Sequence, residues 1–444
     1  MISSQEILSK IKNIDQAEVF IASSKSLSID VLDGKVESID EIRDLGLGIR
    51  VIKEHKQGFA FTSDLDDYVI EETIKRAVEN AKNSEADEFH GLPESSSTVV
   101  SSAVVQDIDL YDQQINKVSI QEKIKLTRKI EKAAHQNPKV KKTEKISYSE
   151  GESEIWLANS NGLNINYKDN HCGAFADVIA IENNEMESGF GMSYVTHFAD
   201  LDFAAIGQEA AEQAVQLLGA KTITSQKIPL VIDPRVATQL LEILVAPLSS
   251  EAVQKGKSLF AAKLNQAVGS NLLTIIDNGR LPKGLGSAPF DGEGVPTQET
   301  KLIEQGILKT FFYNTYTANK GKTKSTGHAS HSSFQGLPGI GPTNLYIKAG
   351  DQEPSKIVNQ ITNGLYLVRI MGGHTANPIS GDFSFGAAGI MIKNGRLTYP
   401  VRGITIAGNL IDLLQHIKAI GSDLRFLANI GAPTLLLEGI SVSG

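Results

Sequence analysis

The chain has 444 residues, 41% of them hydrophobic and 21% charged, with 52 acidic side chains against 43 Lys and Arg and a formal net charge of -9. That composition describes a globular protein with room for about three domains, and its acidic balance excludes a general affinity for nucleic acid, which needs clustered cations. The densest basic run, Lys139 with Lys141, Lys142 and Lys145, is broken by Thr143 and Glu144 and reads as a solvated junction between a helix and a strand. No basic and apolar leader opens the sequence. The most apolar window, 240–248, contains Glu242 and Pro247 and falls far short of the ~20 residues that cross a bilayer. A cytoplasmic location without a membrane segment is therefore expected. Cys172, the single cysteine, excludes an internal disulfide and a cysteine-rich zinc site, and is expected to be a buried thiol.

Ser3 and Glu6 stand at capping-box spacing, and Ile7, Leu8, Ile11 and Ile14 follow at helical intervals. The period then changes to two. Residues 26–31 alternate, Asp33-Gly34 makes a hairpin turn, and 36–43, 46–53 and 58–62 read as further strands. Asp64 is expected to cap a helix to about 83 whose inner face carries Val69, Ile70, Ile74, Ala77, Val78 and Ala81. Residues 84–118, rich in Ser, Asp, Glu and Pro, make the best linker, with some packing around Leu110 and Tyr111. The pattern then repeats: a helix over 120–135, strands over 140–150, 154–159, 163–168, 172–181 and 188–195, and a helix over 202–218. Helix, antiparallel strands and helix thus occur twice, as units 1–83 and 119–220 of a duplicated α+β fold.

From 221 to 444 glycine becomes frequent and strands short. Pro234 opens an apolar helix, 302–308 and 391–397 are hairpins, and short helices are expected at 354–362 and 410–419. A strand-heavy domain of this kind suits a curled sheet or partly closed barrel carrying long functional loops.

Four polar, glycine-bounded turns punctuate this last region. They are Pro289-Phe290-Asp291-Gly292-Glu293-Gly294, Ser325-Thr326-Gly327-His328-Ala329, the segment 381–389 beginning Gly381-Asp382-Phe383-Ser384-Phe385, and Thr405-Ile406-Ala407-Gly408-Asn409. In order and spacing they resemble the PmbA/TldD family, whose members were once named modulators of DNA gyrase and later understood as metalloproteases. The resemblance spans nearly the whole chain and is most specific after residue 280.

TldD-type members of that family carry His-Glu-x-x-x-His on a helix, which sets two imidazoles one turn apart around a zinc ion, together with a distant cysteine ligand. PmbA/TldE-type members lack the histidine pair. Here no His-Glu dipeptide occurs, and no histidine lies between His197 and His328. Matching Gly256-Lys257-Ser258-Leu259-Phe260 to the segment downstream of the motif places it on 241–246, with Leu241 and Ala246 at the histidine positions and Glu242 at the glutamate position. Leucine and alanine cannot coordinate a metal. Residues 422–437, where the cysteine would lie, contain none.

Other chemistry is weaker in outline. His328-x-x-His331, with His374, Asp291, Glu293 and Asp382 on other loops, is the best remaining metal candidate, against the plainer expectation that His328 bonds a backbone carbonyl and orders its loop. Ser325 and His328 with Asp382 or Asp291 would make a serine hydrolase, but no Gly-x-Ser-x-Gly elbow accompanies them. Gly46-Leu47-Gly48 and Gly284-Leu285-Gly286 lack the third glycine of a dinucleotide fingerprint. Gly336 to Pro342 suits a channel wall or lid, and Trp156 a core. Asp291 and Glu293 are expected to bond backbone amides in their turn, or to line a peptide groove. Phe383 and Phe385 line a groove or fill a satellite core.

The resemblance implies a PmbA/TldE-type pseudoenzyme subunit that holds no zinc of its own. It would pair as a heterodimer with a zinc-bearing TldD-type chain, with monomer and homodimer both open to it in isolation, and help cleave small or unfolded polypeptides such as antitoxins and peptide precursors. Asp291, Glu293, Thr326, His328, Asp382 and Phe385 are its candidate substrate-channel residues. An autonomous hydrolase built on His328 and His331, and a non-enzymatic regulator binding gyrase or another protein, are the rival expectations.

Overall fold

The structure, a computed structural model, describes residues 3–94 and 107–444. Its first half is built on one antiparallel sheet of six strands, β1 (Gln16–Leu32), β2 (Lys35–Lys53), β3 (Lys56–Thr62), β4 (Val140–Asn159), β5 (Asn164–Glu182) and β6 (Glu185–Val195). The order is β3-β2-β1-β4-β5-β6. Each half of this sheet is three consecutive strands flanked by helices, and the two first strands, β1 and β4, pair with each other from Glu18↔Asn159 to Val31↔Ile146. The two α+β units therefore share one sheet. Pairing on both sides also explains why β1, β2 and β4 run far longer than their local alternation suggests. The 36–43 and 46–53 segments join through Asp44 and Leu45, and 140–150 joins 154–159 through Gly151, Glu152 and Ser153. Asp33 and Gly34 both take positive φ, +50° and +69°, as a two-residue hairpin turn requires.

Strand residues alternate between two environments. Val19, Ile21, Leu47, Ile49 and Val51 face the helices Ser4–Lys10 and Asp67–Asn83, packing on Ile7, Ile70, Ala77 and Ala81. Ile29, Val31, Ile146, Cys172, Ala174 and Val178 face the helices Ile120–Ala134 and Phe203–Val215. Cys172 is fully buried there, and burial pushes its thiol up to about 12. The opposite face of the sheet, at Glu18, Phe20, Arg50, Leu157 and Tyr167, meets the C-terminal half.

The expected linker is only partly one. Residues 95–106 lie outside the described residues, but Leu92, Ile108, Leu110 and Ile115 on either side are buried. Asp112 caps a short helix, Gln113–Lys117, and its carboxylate also accepts the Phe198 N–H. Four apolar side chains leaving water anchor this segment to the body.

The C-terminal half contains two larger sheets. One is a curled sheet of six short strands ordered Ile307–Leu308, Glu299–Glu304, Ile275–Asn278, Leu345–Ile347, Ile430–Ala432 and Arg425–Leu427. The other closes on itself. Gln226–Ile232, Asn363–Met371, Asp382–Lys393, Arg396–Asn409 and Leu435–Ser443 pair in sequence round a ring, and Thr405↔Ser443 with Ile406↔Val442 complete it. A closed ring leaves no free edge, so beside the expected curled sheet stands a barrel that closes completely. Leu230, Leu365, Leu367, Phe385, Ile406 and Leu437 belong to the core of this half. The helix expected over 410–419 stops at Gln415, because Ile417–Ile420 pairs with Leu435–Leu437 as a sixth strand outside the ring. No helix among the described residues is long and apolar enough to cross a membrane.

Candidate functional site

The 289–294 and 325–329 turns meet at the junction of the two halves. Asp291 Oδ1 accepts the N–H groups of Glu293 and Val295, both at 2.9 Å, while Oδ2 accepts that of Ala329 at 3.0 Å. One carboxylate thus closes its own turn and ties it to the neighbouring loop. Burial, then the proximity of Glu293, pushes this carboxyl up to about 7 against the lowering effect of those three donors.

Glu293 turns away from Asp291. It accepts the Thr315 N–H at 2.8 Å and Arg50 Nη1 at 2.9 Å, and Arg50 Nη2 reaches Glu18 at 2.9 Å. Glu18 and Arg50 are register partners on β1 and β2. All three side chains are buried. Burial raises the Glu18 carboxyl despite the Arg50 charge beside it.

His328 is 2% exposed and saturated. Its Nε2 lies 3.0 Å from Asp277 Oδ1 and its Nδ1 2.8 Å from the Thr326 hydroxyl. Asp277 in turn accepts the Thr343 N–H at 2.9 Å. The partners of His328 are therefore side chains and not the expected backbone carbonyl. Ser325 donates to the Tyr313 carbonyl at 3.1 Å and makes no bond to His328, so no serine triad forms. His331 points elsewhere. Its ring stacks on Phe20 at 4.0 Å, and its Nδ1 lies 3.2 Å from the Gly336 carbonyl. Burial, aided by the Arg50 charge, pushes it down to about 4 and keeps it neutral.

The remaining candidates lie apart from this cluster. Asp382 is exposed at the start of a barrel strand, where Asn409 Nδ2 donates to it at 3.0 Å. Phe385 is fully buried and stacked on Phe383 at 4.6 Å, so it fills the barrel core and lines no channel. His374 sits in an exposed turn. Leu241 is 1% exposed inside the C-terminal core, Glu242 is exposed, and Ala246 follows the end of the helix Pro234–Ile243. Among the described residues no three His, Cys, Asp or Glu side chains converge as a metal-ligand set.

Between the sheet and these turns lies a cavity of about 170 Å³, walled by Phe20, Leu157 and Tyr167 on one side and Phe290, Asp291 and His331 on the other. The 331–338 loop leaves its wall at His331. Phe334 at its tip presses on the sheet where a Cβ on Gly46 would stand 2.2 Å from the ring, and one on Gly48 2.8 Å from the Phe334 carbonyl. Gly46-Leu47-Gly48 is thus a seat for an aromatic ring. Glu18, Phe20, Arg50, Tyr167, Asp277 and Phe334 went unnoticed as site residues. One signal was present: Glu18 and Arg50 each interrupt an apolar strand run, Ala17–Ile21 and Ile49–Ile52, and a charge in such a run needs a buried partner.

Sequence models of the three PmbA/TldA metallopeptidase domains match this chain, domain 1 over residues 17–84, the central domain over 114–218 and the C-terminal domain over 225–444. Metalloprotease PmbA of Escherichia coli O157:H7 is 30% identical over 432 residues, 97% of this chain and 92% of that protein. The chain belongs to the PmbA/TldD family. A crystal structure of this PmbA/TldD fold from Thermotoga maritima, named as a candidate modulator of DNA gyrase, superposes with a TM-score of 0.88 at 29% identity, covering 96% of both chains. TldE from Thermococcus kodakarensis gives the same TM-score at 22% identity over 97% of both chains and shares the PmbA/TldD fold.

Proposed function

We propose that this chain is a TldE-type subunit, without catalytic zinc of its own, that works with a TldD-type metallopeptidase chain on small or unfolded polypeptides in the cytoplasm. The observation that carries this reading is the chemistry at the positions matched to the zinc helix. Leu241 is locked into the hydrophobic core and Ala246 has no ligating atom. A glutamate left alone on an exposed helix end, as Glu242 is, has no metal-bound water to activate.

In this role Asp291, Glu293, Thr326 and His328 act as scaffold. Each bonds neighbours that fix the loops beside the cavity, which suits a wall that admits extended chains more than a reacting centre. The saturation of His328 and the absence of a bond to Ser325 weigh against an autonomous hydrolase. Zinc per chain, measured by elemental mass spectrometry on untagged protein, tests the reading together with peptidase assays on this chain alone, on a TldD-type chain alone, and on the two mixed. Negligible zinc here and activity that rises on mixing are expected. About one tightly held zinc per chain, or peptidase activity without the second chain, would overturn it.

A further inference from the structure

The cavity at the junction combines features that no part of the subunit reading requires. Its walls are aromatic on both sides. Tyr167 and Phe290 meet edge to face, 5.0 Å between centroids at 86°, and Phe20 closes the floor with His331 stacked on it. Rings in this arrangement present negative π faces and ring edges to one enclosed volume. Asp291 lies in the same wall. His331, whose Nδ1 donates to the Gly336 carbonyl, lies in the wall beside it. Next to the cavity Glu18 and Glu293 share the guanidinium of Arg50. Asp291 supplies the carboxylate of the lining.

We propose that this cavity is a binding site for an organic ammonium group, supplied either by a free small amine or by a lysine side chain of an extended peptide. Aromatic faces with one carboxylate recognise such cations through the ring quadrupole and a charge-assisted hydrogen bond. The ammonium donates to Asp291, and its methylene groups rest on Leu157 and Ile155. Binding holds Asp291 ionised and so strengthens as pH rises. The other charged or titratable groups around Asp291 are Glu293 in its own turn, which is paired with Arg50 on β2 and through it with Glu18 on β1, Tyr167 on β5 with Asp169 beside it, and His328 and His331 on the adjoining loop, with Asp277 bonded to His328.

Calorimetric titration of the full chain in amine-free phosphate buffer tests the site with n-butylammonium against n-butanol, and with a blocked Ala-Lys-Ala peptide against its norleucine counterpart. The ammonium probe or the lysine peptide is expected to bind at least about tenfold more tightly than its neutral twin, and which of the two binds better identifies the source. Tyr167→Leu should weaken the preferred probe by about three- to tenfold through loss of the ring face. Ile155→Phe fills the same cavity from the adjacent strand, where Ile155 is the register partner of Tyr167, and keeps the test open if Tyr167→Leu misfolds. Equal binding of charged and neutral twins, no saturable binding of any probe, or affinity untouched by both substitutions would overturn the proposal.

Discussion

Arg50 and Glu293, 243 residues apart in the chain, form a 2.9 Å ion pair with neither side chain more than 6% exposed. The pair joins the N-terminal sheet to the C-terminal half, and Glu18 completes it from the adjacent strand. Two buried carboxylates share one guanidinium, so the three groups are unequal in importance.

Arg50→Met leaves Glu18 and Glu293 buried without a cation and should cost about 3–5 kcal/mol, whereas Glu18→Gln leaves a balanced Arg50–Glu293 pair and should cost much less. Urea denaturation of both variants measures the difference. Equal losses would show that the cluster does not behave as one charge-balanced unit.

Asp291 provides a pH dependence. Its folded carboxyl sits at about 7 against an ordinary 3.8, so the folded state holds the proton more tightly than the unfolded chain. Its contribution to stability is fully present below about 4 and is lost as pH rises through about 7. Denaturation curves between pH 4 and 8 should show that decline in the wild type and a flatter profile in Asp291→Asn. An unchanged slope would assign the effect to another group.

His331 has the opposite sense. Burial holds it at about 4 against an ordinary 6.5, so the unfolded chain takes up the proton first. Stability from this residue is present above about 6.5 and falls as pH drops towards 4. Its imidazole C–H signals in NMR spectra should stay at neutral positions between pH 5 and 8. A midpoint near 6.5 contradicts the stacking on Phe20.

Phe334 and Gly46 make a steric pair. Phe334→Ala should cost about 3 kcal/mol or more and open the 331–338 loop to limited proteolysis. Gly46→Ala should do similar damage in the wild type but little in the Phe334→Ala background, where the clash at 2.2 Å has gone. Additive effects in this double-mutant cycle would mean the ring does not occupy its seat on the glycines.

Much of the site was legible in part. The Asp291 turn is local, since two of the three N–H groups its carboxylate accepts belong to residues 293 and 295, and Asp-Gly sequences announce such turns. His328 was marked as a loop-ordering residue, but Asp277, 51 positions away, could not be named as its partner. Phe385 was misplaced because an aromatic residue in a glycine-rich strand looks the same whether its sheet is open or rolled into a ring.

By itself the sequence determined the period of each element, the caps and turns between them, the family, and the want of ligating atoms at Leu241 and Ala246. Those properties depend on neighbours within a few residues or on side-chain chemistry alone. Only the tertiary structure decided that β1 pairs with β4, that five strands close into a ring, and that Glu18, Arg50 and Glu293 meet. These are choices among long-range pairings, settled by which apolar faces leave water together and by the need of a buried charge for an opposite one.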